Sequence, residues 1–177
     1  MLQHDFSFIY KYFTAEKLES LLFVIIGIVA VILAVIFFFF IKTNTTLFKG
    51  AVIPLVVLGI MQLVAGYTVY IISDKQSADV AYNIGLEPVA YATAKEIPRM
   101  ETVMKNFVIY RWVEIAMAIT GIVLFFYFKN NIDKQFWKGF GLTLAVMALL
   151  ALAADYFAEQ RGHVYLNAIK EFIKPKS

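Results

Sequence analysis

Four long apolar stretches, cleared of almost every charge, set what this chain can fold into. They cover residues 20–41, 50–72, 107–128 and 139–156. A hydrocarbon layer about 30 Å thick is crossed by about 20 residues of helix. The first two stretches reach that length with no charged side chain, the third carries Arg111 and Glu114, and the fourth carries Asp155 near its end. The expected class is therefore an all-α membrane protein, a four-transmembrane-helix antiparallel up-down bundle.

Composition narrows the reading. The 177 residues are 61% hydrophobic and 16% charged, against about 25% charged in soluble domains. Four spans and their connections use the whole chain, so residues 1–177 form a single membrane domain. A net charge of +3, scattered along the sequence, does not suggest nucleic acid. Without Cys there is no disulfide, thiolate metal site or Cys nucleophile. Two His residues exclude a haem held by several His pairs. The start is not read as a cleavable signal peptide, because the first apolar run is too long and ends in Phe37–Phe40 rather than at a small-residue site.

Residues 1–14 carry Phe6, Phe8, Tyr10, Tyr12 and Phe13. Rings with polar tips favour the headgroup layer, so this segment is expected to lie along the membrane surface. Thr14 then reads as an N-cap with Glu16 in the first turn, starting the first helix near residue 15. The second helix starts near Gly50, with Pro54 close to its beginning. Residues 73–106 form a helical connection outside the membrane: Gly85 is a stop signal, Pro88 and Pro98 bracket a short helix over 89–97, and Pro98 starts the third helix. The fourth apolar stretch continues as a helical tail over 157–173. The helices thus extend beyond the bilayer on the side of the termini.

A weak internal echo runs through the chain. Phe48-Lys49-Gly50 and Trp137-Lys138-Gly139 each open a helix, and Phe39-Phe40-Ile41-Lys42 and Phe126-Tyr127-Phe128-Lys129 each end one. One hairpin used twice would be related by an axis along the membrane normal. Under that correspondence Gly66 falls at Asp155 and Gly27 at Glu114. The count of Lys and Arg favours cytoplasmic termini, while the Lys-dense short connections argue the other way. The expected location is a bacterial inner (plasma) membrane.

The polar cluster is Arg111, Glu114, Asp155 and Glu159. Ionisable groups this deep are costly and face protein, water or one another. Counting along both helices puts Glu114 and Asp155 at similar depth, and the leading expectation is a salt bridge from Arg111 to Asp155 or Glu114. A metal site would draw on Glu101, Glu114, Asp155, Glu159 and His163, since carboxylates with imidazole suit Zn, Mn or Fe. A proton or ion path is the other use of the cluster, with Gln62 the clearest polar group on the first two spans. Gly27, Gly59 and Gly66 read as packing notches. His4 and His163 have no neighbouring Ser or Thr nucleophile, so the chain reads as a non-enzyme without a cofactor. The expected function is a non-catalytic accessory or regulatory membrane module. Its partners would be the lipid bilayer and either itself or another membrane protein. A transporter or channel subunit using Arg111, Glu114 and Asp155 is the alternative, and a metal-dependent membrane enzyme the third reading.

Overall fold

The structure is a computed structural model in which residues 6–174 are described. Those residues are helical almost throughout, with no strand among them. α1 covers Ser7–Phe39, α2 Thr45–Leu86, α3 Pro88–Tyr91, α4 Ile97–Phe128 and α5 Gln135–Phe172. A π-helical turn, Ala92–Glu96, joins α3 to α4 without a break, and a 3-10 turn, Ile132–Lys134, leads into α5. Four units, α1, α2, Pro88–Phe128 and Ile132–Phe172, are each long and apolar enough to cross a membrane. The tight link from α1 to α2 turns at Asn44, which sits in the left-handed region at φ 50°, a conformation Asn tolerates better than most residues.

The helices pair as two hairpins. α1 packs along α2, α4 along α5, and the hairpins meet where α2 packs on α5. Among the described residues, α4 makes no extended contact with α1 or α2. Small residues set these approaches. A Cβ on Gly66 would lie 2.6 Å from the Ser20 carbonyl oxygen, and one on Gly27 would lie 2.6 Å from that of Gly59. Gly121 and Gly141 pack against each other in the same way between α4 and α5. Where α2 meets α5 the contact is reciprocal: Gly50 abuts the Phe136 backbone and Gly139 the Leu47 backbone. These are matching positions of the two hairpins, so the internal echo coincides with a two-fold arrangement of contacts.

On the side of the chain ends all four long helical units contribute to one core. It holds Ile9 and Phe13 of α1, Val80 and Ile84 of α2, Met100 of α4 and Ile169 of α5. This corrects the expectation for the N-terminal aromatics. Residues 1–5, His4 among them, lie outside the described residues. From Ser7 onward the segment is the first turns of α1, not a surface-lying piece before it. Tyr12 is 5% and Phe13 2% exposed. Phe6 and Phe8 pack against Phe172, and only Tyr10 is largely exposed. The spacing of Phe6, Ile9 and Phe13 is that of one helical face, and burial against three other helices outweighs the affinity of the rings for a headgroup layer.

Three other boundaries differ from expectation. α2 starts at Thr45, so Pro54 lies inside it rather than in its first turn. Gly85 stays helical, and α2 ends at Leu86 because Glu87, which precedes Pro88, is driven to φ −136°, ψ 72°. Pro98 stands in the first turn of α4, as expected, but α4 is not a fresh start, because the π-helical turn Ala92–Glu96 runs into it without a break. The Pro98 ring would collide with the carbonyl one turn back in a regular α-helix, and the π-helical turn directly before it takes up the misfit.

Candidate functional site

Between the hairpins lies a cavity of about 490 Å³, within the usual range for small-molecule sites. Each long helix gives it one face, at steps of three and four residues. α1 presents Tyr12, Glu16, Glu19, Ser20 and Phe23, and α2 presents Leu58, Met61, Gln62, Ala65, Gly66 and Val69. α4 adds Phe107, Tyr110, Val113, Glu114 and Met117, and α5 adds Ala148, Ala151, Asp155, Ala158 and Arg161. The walls are mostly apolar, with a few convergent polar groups. Lining residues that are also exposed belong to α2 (Met61, Ala65) and α4 (Tyr110, Val113). The cavity therefore opens sideways between those two helices, where the bundle lacks a contact.

The polar groups fall into two layers. The upper layer roofs the cavity on the side of the chain ends. Glu96, at the end of the π-helical turn and 2% exposed, accepts from Arg99 Nε at 2.8 Å, Arg99 Nη2 at 2.6 Å and the Tyr165 hydroxyl at 2.8 Å. The Tyr165 ring stacks on Tyr12 at 4.1 Å. The Tyr12 hydroxyl donates to Glu16 Oε1 at 3.1 Å, and Ser73 donates to Glu16 Oε2 at 3.3 Å. Burial pushes the Glu16 carboxyl above its ordinary range, and the Tyr12 and Arg99 partners only partly offset that. Arg161 donates to Glu19 on the cavity wall.

The lower layer holds Gln62, Glu114 and Asp155. The carboxyl groups of Glu114 and Asp155 meet across α4 and α5. Two carboxylates have no hydrogen to share, so such a contact needs a proton or a cation. Glu114 is 7% and Gln62 8% exposed. Three buried polar atoms have no hydrogen-bond partner among the described residues: Gln62 Oε1, Glu114 Oε2 and Arg161 Nε. All three residues line this cavity. Unpartnered buried polar atoms are rare because each costs about 1–3 kcal/mol, and three of them on one cavity make it the candidate site.

The structure corrects the expected ion pair. Arg111 reaches neither Asp155 nor Glu114 but donates through Nη2 to both oxygens of Glu159. The reason is helical phase. Three residues advance about 300°, so Arg111 lies about 60° away from Glu114 around α4. It also sits one turn nearer the chain ends, where the antiparallel partner is Glu159 rather than Asp155. With Tyr156, Gln160 and His163 the pair forms a shallow outer pocket. His163 Nε2 is 3.6 Å from Glu159. The five candidate metal ligands fall in three places: Glu114 and Asp155 in the cavity, Glu159 and His163 outside it, and Glu101 with Lys170 at 2.9 Å on the polar surface. No group of three or more His, Asp or Glu among the described residues is placed to hold a metal ion.

Sequence reading reached Glu114, Asp155 and Gln62 but missed Glu16, Glu19 and Arg161 as lining groups and Glu96, Arg99, Tyr12 and Tyr165 as the roof. The available signal was phase: Tyr12, Glu16, Glu19 and Phe23 continue one face of the first helix, and Asp155, Ala158 and Arg161 one face of the last. Comparison with known proteins returns no matching family model, no curated relative and no similar solved structure. The molecule is defined by its architecture, two apolar helical hairpins around a side-opening cavity.

Proposed function

We propose that this is a non-catalytic, four-span integral membrane module, of accessory or regulatory kind, that works by binding a small amphiphilic molecule between its two hairpins. The observation that carries the reading is the convergence of Gln62 Oε1, Glu114 Oε2 and Arg161 Nε, all unpartnered, on one cavity. Its sideways mouth, edged by Met61, Ala65, Tyr110 and Val113, lies within the apolar stretches, so a bilayer is the natural source of the ligand. A bacterial inner membrane with cytoplasmic termini is the setting that suits the Lys and Arg count.

The test is native mass spectrometry of the protein in micelles titrated with a total polar lipid extract. One adduct per chain should survive collisional activation that strips peripheral lipid. Ala151→Phe, which puts a ring into the cavity, should abolish it. An adduct that persists unchanged in the variant, or no surviving adduct in the native chain, refutes the reading.

A second reading, an ion or proton path, is favoured by the facing carboxyls of Glu114 and Asp155. Against it stand the contacts farther from the chain ends. There α4 and α5 close through Gly121 with Gly141, and the two hairpins close on each other through Gly50 and Gly139 against opposing backbone, with no Asp, Glu, Lys or Arg on that side before Lys49 of α2 and Lys138 of α5.

A further inference from the structure

We propose that the cavity is selective for an amphiphile with a primary or secondary ammonium head, seated at Glu114, Asp155 and Gln62, with its apolar tail directed to the mouth between α2 and α4. The inference rests on the binding role proposed above and names the chemistry of the ligand.

Charge comes first. Among the described residues four carboxyl side chains line the cavity, Glu16, Glu19, Glu114 and Asp155, and one basic side chain, Arg161. Arg161 is engaged by Glu19, and Glu16 already accepts hydrogen bonds from Tyr12 and Ser73. Glu114 and Asp155 are left facing each other without a basic partner. Arg111, the nearest candidate in sequence, is held outside by Glu159. A cation is the complement such a pair lacks, and an anionic head would meet like charge in a setting that screens it poorly.

Hydrogen bonding then selects among cations. Glu114 Oε2 and Gln62 Oε1 are acceptors, more than nine-tenths buried and unpartnered. A head with N–H donors satisfies them, whereas a quaternary ammonium has none to give. A site whose acceptors are buried rejects a ligand that leaves them unpaired. The apolar end follows from the walls: Met61, Tyr110, Val113 and Met117 run from the carboxyl pair to the opening.

The probes are dodecylammonium, dodecyltrimethylammonium, dodecanol and dodecanoate. Binding is read by native mass spectrometry of the full chain from phosphatidylcholine nanodiscs. Dodecylammonium should bind at least tenfold more tightly than the other three. Glu114→Gln and Asp155→Asn, two independent variants that remove charge at nearly constant shape, should each weaken dodecylammonium at least tenfold and leave dodecanol unchanged. Thermal unfolding shows whether each variant is folded, and either one alone suffices.

Equal binding of dodecanol or dodecanoate overturns the ammonium inference while leaving the binding role standing. So does tight binding that both folded variants retain. No saturable binding of any probe overturns the binding role as well. The head has two possible sources, a free amine or a lipid headgroup, and nanodiscs containing phosphatidylethanolamine separate them. Competition by that lipid supports the ammonium site and assigns it to lipid. Its absence, with dodecylammonium still bound, supports the site and assigns it to a free amine. Equal binding of the quaternary probe overturns the N–H requirement.

Discussion

Two acidic residues of similar composition and contrasting role stand out. Glu96 is buried with three charge-assisted or hydroxyl donors around it, so its burial is compensated. Glu96→Ala would leave Arg99 and the Tyr165 hydroxyl without their acceptor. A loss of about 3–5 kcal/mol is expected in denaturant unfolding, with Glu96→Gln retaining part of it. Glu16 is compensated less well, and burial raises its pKa. A carboxyl that holds its proton more tightly in the folded chain contributes stability at low pH. That contribution fades as pH rises from the unfolded pKa, near the ordinary carboxyl value, through the raised folded one. Glu16→Gln keeps an acceptor for Tyr12 and Ser73 and removes the titration. Its unfolding midpoint should therefore fall less than that of the native chain as pH rises from about 4.5 to 7. A native-like slope in the variant would show that Glu16 is not the group responsible. Neither burial was readable from spacing. Glu16 looked like a helix-start acid and Glu96 like part of a polar connection, and only the packing of other helices onto them makes either one buried.

At the scale of the helices, glycine separates close contact from open space. Gly66 faces the Ser20 carbonyl and the Phe23 side chain, the latter at 2.9 Å from a built Cβ, and Gly85 meets only the far end of the Phe6 ring at 3.7 Å. Both are helical without positive φ. Gly66→Ala should therefore destabilise by about 1–3 kcal/mol through forced separation of α1 and α2. Gly85→Ala should stabilise by about 0.5–1 kcal/mol, because alanine loses less backbone freedom in a helix. Thermal melts of the two variants should move in opposite directions, and a parallel shift would contradict the packing described for α1 and α2. The same glycines explain the difference between the hairpins. Gly27 and Gly66 bring α1 and α2 together, whereas the matching positions of the second hairpin carry Glu114 and Asp155 and hold the acidic pair of the cavity.

At the scale of the whole molecule the connections between helices report orientation. The chain has no Cys, so a single introduced thiol reports without background. With cytoplasmic termini, a membrane-impermeant maleimide applied to intact cells should label Lys134→Cys and spare Lys75→Cys until the membrane is broken. The reverse pattern would invert the topology. The sideways mouth is a consequence of unequal packing. α1 packs on α5, while the two-fold-related pair, α4 and α2, makes no extended contact among the described residues, and the opening lies there.

Helix length, the all-helical class and relative height along the bundle were legible from residue types alone. An apolar run with no charge has one low-energy use at each point, and about 1.5 Å per residue converts position into height, so Glu114 and Asp155 are placed at one level by counting. The helical tail beyond residue 156 was likewise visible as unbroken periodicity. Pairing around the helix axis was not. A side chain's partner depends on the rotation of each helix and on which neighbour stands beside it, and 60° of phase sends Arg111 to Glu159 and leaves Glu114 facing Asp155. The cavity was not readable either, since its lining comes from four segments that are far apart in sequence. The buried N-terminal aromatics show the same limit: their composition suits a membrane surface, but three other helices offered them a drier place.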